Sequence, residues 1–208
     1  MNILITGVSK GIGYEVCSKF VANGDHNVIG ISRTPVAFDN KVISNGNNQS
    51  YHHIDYDLTK GDFKKDLLPK IIEKIPGIDI IINNAGFLIN KPFVELTDDD
   101  YDSMFDLNVK SVFRLIRDLL PVTNKGAHIV NISSMGGFQG SAKFPGLSLY
   151  SASKGALVIL TECLAEELTE RKISANALAL GAVQTEMLAT AFPNYKAPLS
   201  AAEMADFI

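Results

Sequence analysis

The sequence predicts an α/β domain, a doubly wound parallel sheet with helices on both faces. Three observations carry that expectation. Short apolar runs alternate with helical patterns along the chain, and a glycine-rich turn joins the first run to the first helix. No internal repeat, low-complexity tract or interdomain linker divides the 208 residues, so a single domain over 1–208 is expected.

Asn2-Ile3-Leu4-Ile5-Thr6 reads as a buried strand. It leads through Gly7-Val8-Ser9-Lys10-Gly11-Ile12-Gly13 into a helix. Strand, glycine turn and helix form the setting of a dinucleotide site. Glycines let the backbone turn sharply and approach a pyrophosphate, while the helix N-terminus presents free N–H groups. Gly7, Ser9, Lys10, Gly11, Ile12 and Gly13 are therefore candidate cofactor contacts. The Gly-x-x-x-Gly-x-Gly spacing is one residue longer at its first gap than the common fingerprint, and an ordinary strand-to-helix turn is the alternative. Further strands are read at 28–31, 78–82, 128–132 and 173–180, and helices near 11–23, 62–75, 98–119 and 149–171. Thr97 before Asp98-Asp99-Asp100 reads as a helix N-cap with carboxylates at the positive end, rather than as a metal site. His52 and His53, beside a strand end, read as surface or packing residues, and no Cys/His spacing suggests zinc.

A net charge of −4 and 46% hydrophobic residues describe a soluble globular protein, with no basic excess for nucleic acid. No apolar run reaches the roughly 20 residues that span a bilayer. The first strand starts at once, which leaves no room for a secretory leader. Cys17 and Cys163 both fall in expected helices and read as packed, reduced thiols, giving a cytoplasmic expectation.

Tyr150-Ser151-Ala152-Ser153-Lys154 places a phenol and an ammonium on one helical face. A nearby cation favours phenolate, and bringing a phenol from about 10 to roughly 7 takes about 4 kcal/mol. By itself the pair is unremarkable, since Tyr and Lys share this spacing on many solvent-facing helices.

Taken together, Thr6-Gly7-x-x-x-Gly11-Ile12-Gly13, Asn83-Asn84-Ala85-Gly86, Asn108, Ser134 and Tyr150-x-x-x-Lys154 occur in the order found in short-chain dehydrogenase/reductases. The chain resembles the simple one-domain branch of that family over essentially its whole length. The resemblance implies a Rossmann-like fold and hydride transfer between a nicotinamide cofactor and a carbonyl or alcohol. It also implies a homodimer or homotetramer. Ala156, Leu157, Leu160, Leu164 and Leu168 have the spacing for helix pairing between subunits, although an internal core face has the same pattern.

The second strand bears on cofactor choice. An acidic residue at its tip would grip the ribose 2′-hydroxyl of NAD, whereas arginine accommodates the phosphate of NADP. Here Ser32 and Arg33 follow Ile31, and Lys10 adds a second cation on the same side. NADP(H) is the expected cofactor and NAD(H) the possible one; the alternative reading is two solvated surface cations. The resemblance places Asp57 and Leu58 at the adenine, and Asn83, Ala85 and Gly86 along the cofactor path. Gly181, Val183 and Thr185 would serve the nicotinamide end.

A ketone that accepts hydride becomes an alkoxide, so the site needs a proton source and donors aimed at the oxygen. Tyr150 is the expected proton donor, with Lys154 holding its pKa down and, by resemblance, binding ribose hydroxyls. Ser134 would hydrogen-bond the carbonyl oxygen, with Ser133 its neighbouring competitor. By resemblance, Asn108 would position a water beside Lys154.

Three departures from the family pattern are visible. The interval from Ser134 to Tyr150, sixteen residues, is longer than usual, and its extra length lies within 136–148. Leu180-Gly181 replaces the usual Pro-Gly. Ser200-Ala201-Ala202-Glu203 reads as a capped helix start close to Ile208, so the family's C-terminal strand beyond it is not expected. Residues 182–208 form the expected substrate-loop region. The sequence therefore supports an NADP(H)-dependent reductase or dehydrogenase, with reduction favoured. The rival is a catalytically impaired dinucleotide-binding or regulatory protein on the same fold.

Overall fold

Strands β1 (Asn2–Thr6), β2 (Asn27–Ser32), β3 (Ser50–Asp55), β4 (Ile78–Asn83), β5 (Thr123–Ser134) and β6 (Ser174–Leu180) form one six-stranded sheet in the order β3-β2-β1-β4-β5-β6. Every pairing in it is parallel. These strands belong to a computed structural model of the protein that describes residues 1–36, 38 and 50–208. Strand order reverses between β1 and β4, and ligands of such sheets bind outside the carboxyl ends at that switch point.

Alternation along the strands sends successive apolar side chains to opposite faces. Ile3, Ile5, Val28, Val130 and Ile132 pack on one face with Val16, Cys17 and Val21 of α1 (Gly11–Ala22). Leu4, Ile29, Ile31 and Ile129 pack on the other. That second face is covered by α2 (Leu68–Lys74), α4 (Ser111–Leu119) and α5 (Ser148–Glu167). Before α4 lies α3 (Asp98–Phe105), joined to it by a π-helical turn at Asp106–Lys110. At the start of α3, Asp100 N–H donates to Thr97 Oγ1 at 3.2 Å and Thr97 N–H to Asp100 Oδ2 at 2.9 Å, so the acidic run caps a helix as expected. No metal-binding cluster occurs among the described residues.

The helical patterns and the five strands read from the sequence fall where it places them. β3 is an addition: Tyr51-His52-His53-Ile54 pairs with β2, so the two histidines lie within a strand. Leu157 on α5 and Leu168 directly after it are buried, and Leu160 and Leu164 pack against the same core. The apolar stripe offered for subunit pairing is thus the internal face. The cysteines also divide: Cys17 is buried, with its thiol pushed up to about 12 by burial, whereas Cys163 is exposed on α5 and is not the packed thiol expected.

Beyond β6, a two-stranded parallel ribbon of β7 (Val183–Gln184) and β8 (Leu199–Ser200) brackets α6 (Glu186–Ala191). The turn α7 (Ala201–Met204) carries the expected capping box of Ser200 and Glu203. Tertiary contact holds this one-turn helix: Met204 and Ala205 are buried, and Asp206 accepts a bond from Lys19 of α1 at 2.5 Å. Among the described residues the sheet ends at β6.

Candidate active site

At the switch point, Thr6 Oγ1 accepts the N–H groups of Asn84 and Ala85, each at 3.1 Å. Asn84 Nδ2 returns bonds to the carbonyls of Thr6 and Gly7, also at 3.1 Å. Gly7 has φ +73°, and a Cβ there would lie 2.8 Å from Ala85 Cα. Gly13 serves a different end from the cofactor approach first expected. A Cβ on it would meet Asn84 Nδ2 at 2.2 Å and Gly7 O at 2.3 Å, so this glycine lets α1 seat against the β1 turn. The N-terminus of α1 has no side-chain cap, which leaves its N–H groups for a ligand.

A cleft of about 720 Å³ runs along the carboxyl ends of the strands. Most of the expected cofactor residues line it: Gly7, Ser9, Lys10, Gly11 and Ile12 from the first turn, then Ser32, Arg33, Asp57, Leu58, Ala85 and Gly86. Gly181, Val183 and Thr185 line it beyond β6. Asn83 does not. Its side chain is buried and donates to Asn131 Oδ1 at 2.8 Å, and Asn131 donates to Thr161 of α5 at 2.8 Å. Strand alternation turns it toward α5 and gives the cleft position to Asn84.

Two of the expected phosphate groups are already engaged. Lys10 Nζ donates to Glu186 Oε2 across the cleft at 2.6 Å. Ser32 Oγ donates to Thr34 O at 2.8 Å and lies 2.9 Å from His53 Nε2, so its proton is not free. Arg33 is exposed. Asp57 accepts from the Thr59 amide and hydroxyl at 3.0 and 2.7 Å. Burial raises its pKa, but the Thr59 bonds, with Lys60 and Arg33 nearby, outweigh that and hold the carboxyl below its usual range.

At the far end, Ser133 and Ser134 are separated by alternation. Ser133 is buried and donates to Lys154 O at 2.9 Å. Ser134 faces the cleft beside Tyr150 and accepts the Gly136 N–H at 3.2 Å. Lys154 is 4% exposed and donates to Ile132 O at 2.8 Å; burial brings its pKa down to about 8. Its ammonium lies 5.9 Å from the centroid of the Tyr150 ring. Tyr150 corrects the expected electrostatics. Burial pushes its phenol up and the Ser134 side chain opposes that only in part, the opposite direction to the one expected from the lysine.

Asn108 is fully buried in the π-helical turn. Its carboxamide pairs with the Phe87 peptide, accepting N–H at 2.8 Å and donating to the carbonyl at 2.9 Å, and also donates to Ser153 Oγ at 2.9 Å. The side chain therefore fixes the Gly86-Phe87 segment. Sequence reasoning missed Gly137 and Gly155. A Cβ on Gly137 would lie 2.6 Å from both Lys154 C and Gly155 N, so only glycine lets the turn after Ser134 lie on α5 beside the lysine. The available signal was Gly155 directly after Lys154.

A family model for short chain dehydrogenases matches residues 1–196. The chain belongs to the short-chain dehydrogenase/reductase family. As a member it is an oxidoreductase acting on carbonyl or alcohol groups with a nicotinamide cofactor. This short-chain dehydrogenase/reductase is 34% identical to an NADPH-dependent pterin aldehyde reductase of Arabidopsis thaliana, over 95% of the chain and 82% of the relative. It is 33% identical to a fatty acyl-CoA reductase of Acinetobacter baylyi, over 99% of the chain and 70% of the relative. A short-chain dehydrogenase/reductase of Serratia marcescens superposes with a TM-score of 0.85 at 26% identity, covering 99% of this chain and 87% of that one. Among the described residues no helix is long and apolar enough to cross a membrane.

The site fits the cofactor its family implies. The uncapped α1 N-terminus and the Gly7 cradle suit a pyrophosphate, and the cleft reaches from Arg33 to Tyr150.

Proposed function

We propose that the protein is an NADP(H)-dependent carbonyl reductase in which Tyr150 is the catalytic acid. The observation that carries this reading is the Ser134–Tyr150–Lys154 cluster at one end of a cleft whose other end holds Arg33. The β2 tip presents Ser32 and Arg33 there and no carboxylate. When bound, the nicotinamide supplies the hydride that adds to the carbonyl carbon.

The residues of the chain handle the oxygen. Ser134 Oγ and Tyr150 Oη hold it, and the phenol gives up its proton as negative charge develops there. A phenol kept protonated by burial is suited to donating, which favours reduction. Lys154, bonded to Ile132 O beneath the ring, stabilises the phenolate left behind and draws a replacement proton inward. Its lowered pKa lets it pass that proton near neutrality. Asn108 positions the Gly86-Phe87 backbone beside it.

Arg33 meets the 2′-phosphate, and Lys10 joins it once released from Glu186. Titrating the protein with NADPH and NADH, following nicotinamide fluorescence, tests the preference. Tighter NADPH binding, lost selectively in Arg33→Ala, is expected; equal losses for both cofactors would refute the phosphate contact. The reading extends to a cytoplasmic homodimer or homotetramer, supported by unpaired cysteines and by Ile159 and Phe113, 59% and 45% exposed on the outer faces of α5 and α4. Light scattering on the purified protein measures the oligomeric state, and a monomer would end that part of the proposal.

A further inference from the structure

We infer that the substrate is an aldehyde or ketone carrying an apolar alkyl or aryl group that bears no carboxylate or phosphate; this rests on the reductase reading above. Beside Tyr150 and Ser134 the cleft is walled by Leu88, Phe144, Met187, Leu188, Phe192 and Tyr195. Phe144, Met187 and Tyr195 are 59%, 39% and 50% exposed, apolar area that a bound substituent would remove from water.

The charged residues lining the cleft are each placed elsewhere. Arg33 and Asp57 stand at the adenosine end, Lys10 is held by Glu186 or, with NADPH bound, by the 2′-phosphate, and Lys154 bonds Ile132 O beneath the tyrosine ring. Among the described residues, no cation lining this end is left to neutralise an anionic substituent, and burying an unpaired anion against these side chains is costly.

The apolar walls are tied together at Asn90. Its Nδ2 donates to Ala191 O at 2.7 Å, next to Phe192. The adjoining Lys91 N–H donates to Gly146 O at 3.0 Å, between Phe144 and Leu147. Gly146 has φ +83°, and a Cβ there would fall 1.9 Å from Asn90 Oδ1, so the Asn90 side chain lies directly on that turn. The longer 136–148 segment and the loop after β6 are thereby fixed as two walls of one pocket. A preformed apolar pocket rewards each buried methylene without a large ordering cost.

Two series test this. Protein saturated with NADPH is titrated calorimetrically with 1-alkanols from propanol to octanol, which bind as product analogues without reacting. Aldehydes of the same lengths, and 7-oxoheptanoate, are then compared as substrates. Affinity and kcat/KM should rise about fourfold per methylene, with a negative heat-capacity change on alkanol binding. The ω-carboxylate should cost about tenfold or more. Phe192→Ala should flatten the length dependence, and if that variant does not fold, the wild-type slope decides alone. Length-independent binding, or preference for the carboxylate-bearing aldehyde, overturns the substrate class while leaving the reductase reading intact. Failure of NADPH to bind overturns both.

Discussion

Replacing Lys154 by Met should make the protein more stable and nearly inactive. The buried ammonium has its pKa brought from 10.5 down to about 8. That shift corresponds to about 3 kcal/mol of burial penalty at pH 7, where the group is charged in both folded and unfolded chains. Methionine keeps much of the aliphatic stem but loses the bond to Ile132 O, which costs about 1 kcal/mol. The net gain is about 2 kcal/mol, or roughly 4–8 °C in Tm for a domain of this size. The pH dependence has a definite sign. Below about 8 both states of the wild type hold the proton and the penalty is complete. Between about 8 and 10.5 the folded state has released it while the unfolded chain keeps it, so wild-type stability rises with pH. The advantage of Lys154→Met should therefore be largest at pH 7 and shrink toward pH 10.5. Urea midpoints for both proteins at the two pH values measure it. A variant less stable at pH 7, or a gap independent of pH, would refute the claim that this lysine is held charged at a cost to stability.

Tyr150→Phe should lower turnover by a factor of about 10³, with NADPH affinity broadly kept; wild-type turnover would remove the phenol from the chemistry. In Gly13→Ala the new methyl would displace the Asn84 amide from the Thr6 and Gly7 carbonyls. We expect a loss of about 2–4 kcal/mol, read as a lower urea midpoint, and an unchanged midpoint would contradict the close packing of α1. Glu186→Gln frees Lys10, and since exposed pairs contribute about 0.2–1 kcal/mol, NADPH should bind more tightly by up to about fivefold, with a steeper salt dependence. Fluorescence titration at low and high salt would show no change if the pair does not compete with the phosphate.

What the sequence made legible was local or fixed by strong patterning. Tyr150 and Lys154 meet because four residues make about one helical turn, and the glycine turn lies between a strand and a helix that are contiguous in sequence. Choices that depend on which face of a strand a residue occupies were harder. Asn83 and Asn84 are neighbours, yet one enters the core and the other the cleft, because a single step along a strand reverses direction. The same alternation separates Ser133 from Ser134 and there favours the residue chosen. β3 lacked a clear apolar run, since His52 and His53 interrupt it. Lys10 and Glu186 are 176 positions apart, and nothing local announces their contact. The raised pKa of Tyr150 was equally hidden, because burial of the phenol and the lysine depends on packing from several elements.

The parallel ribbon after β6 has a consequence for how such a protein changes over evolutionary time. Val183 is in register with Leu199 and Gln184 with Ser200, while Gln184 Oε1 accepts the Ala197 N–H at 2.9 Å. The segment between them leaves and returns at one fixed place on the scaffold. Lengthening a closed loop twofold costs only about 0.6 kcal/mol in closure entropy. Residues 187–198 are thus an interchangeable cassette: insertions or replacement there can rewrite what the pocket accepts, while the sheet, the glycine turn and the tyrosine–lysine pair are inherited unchanged.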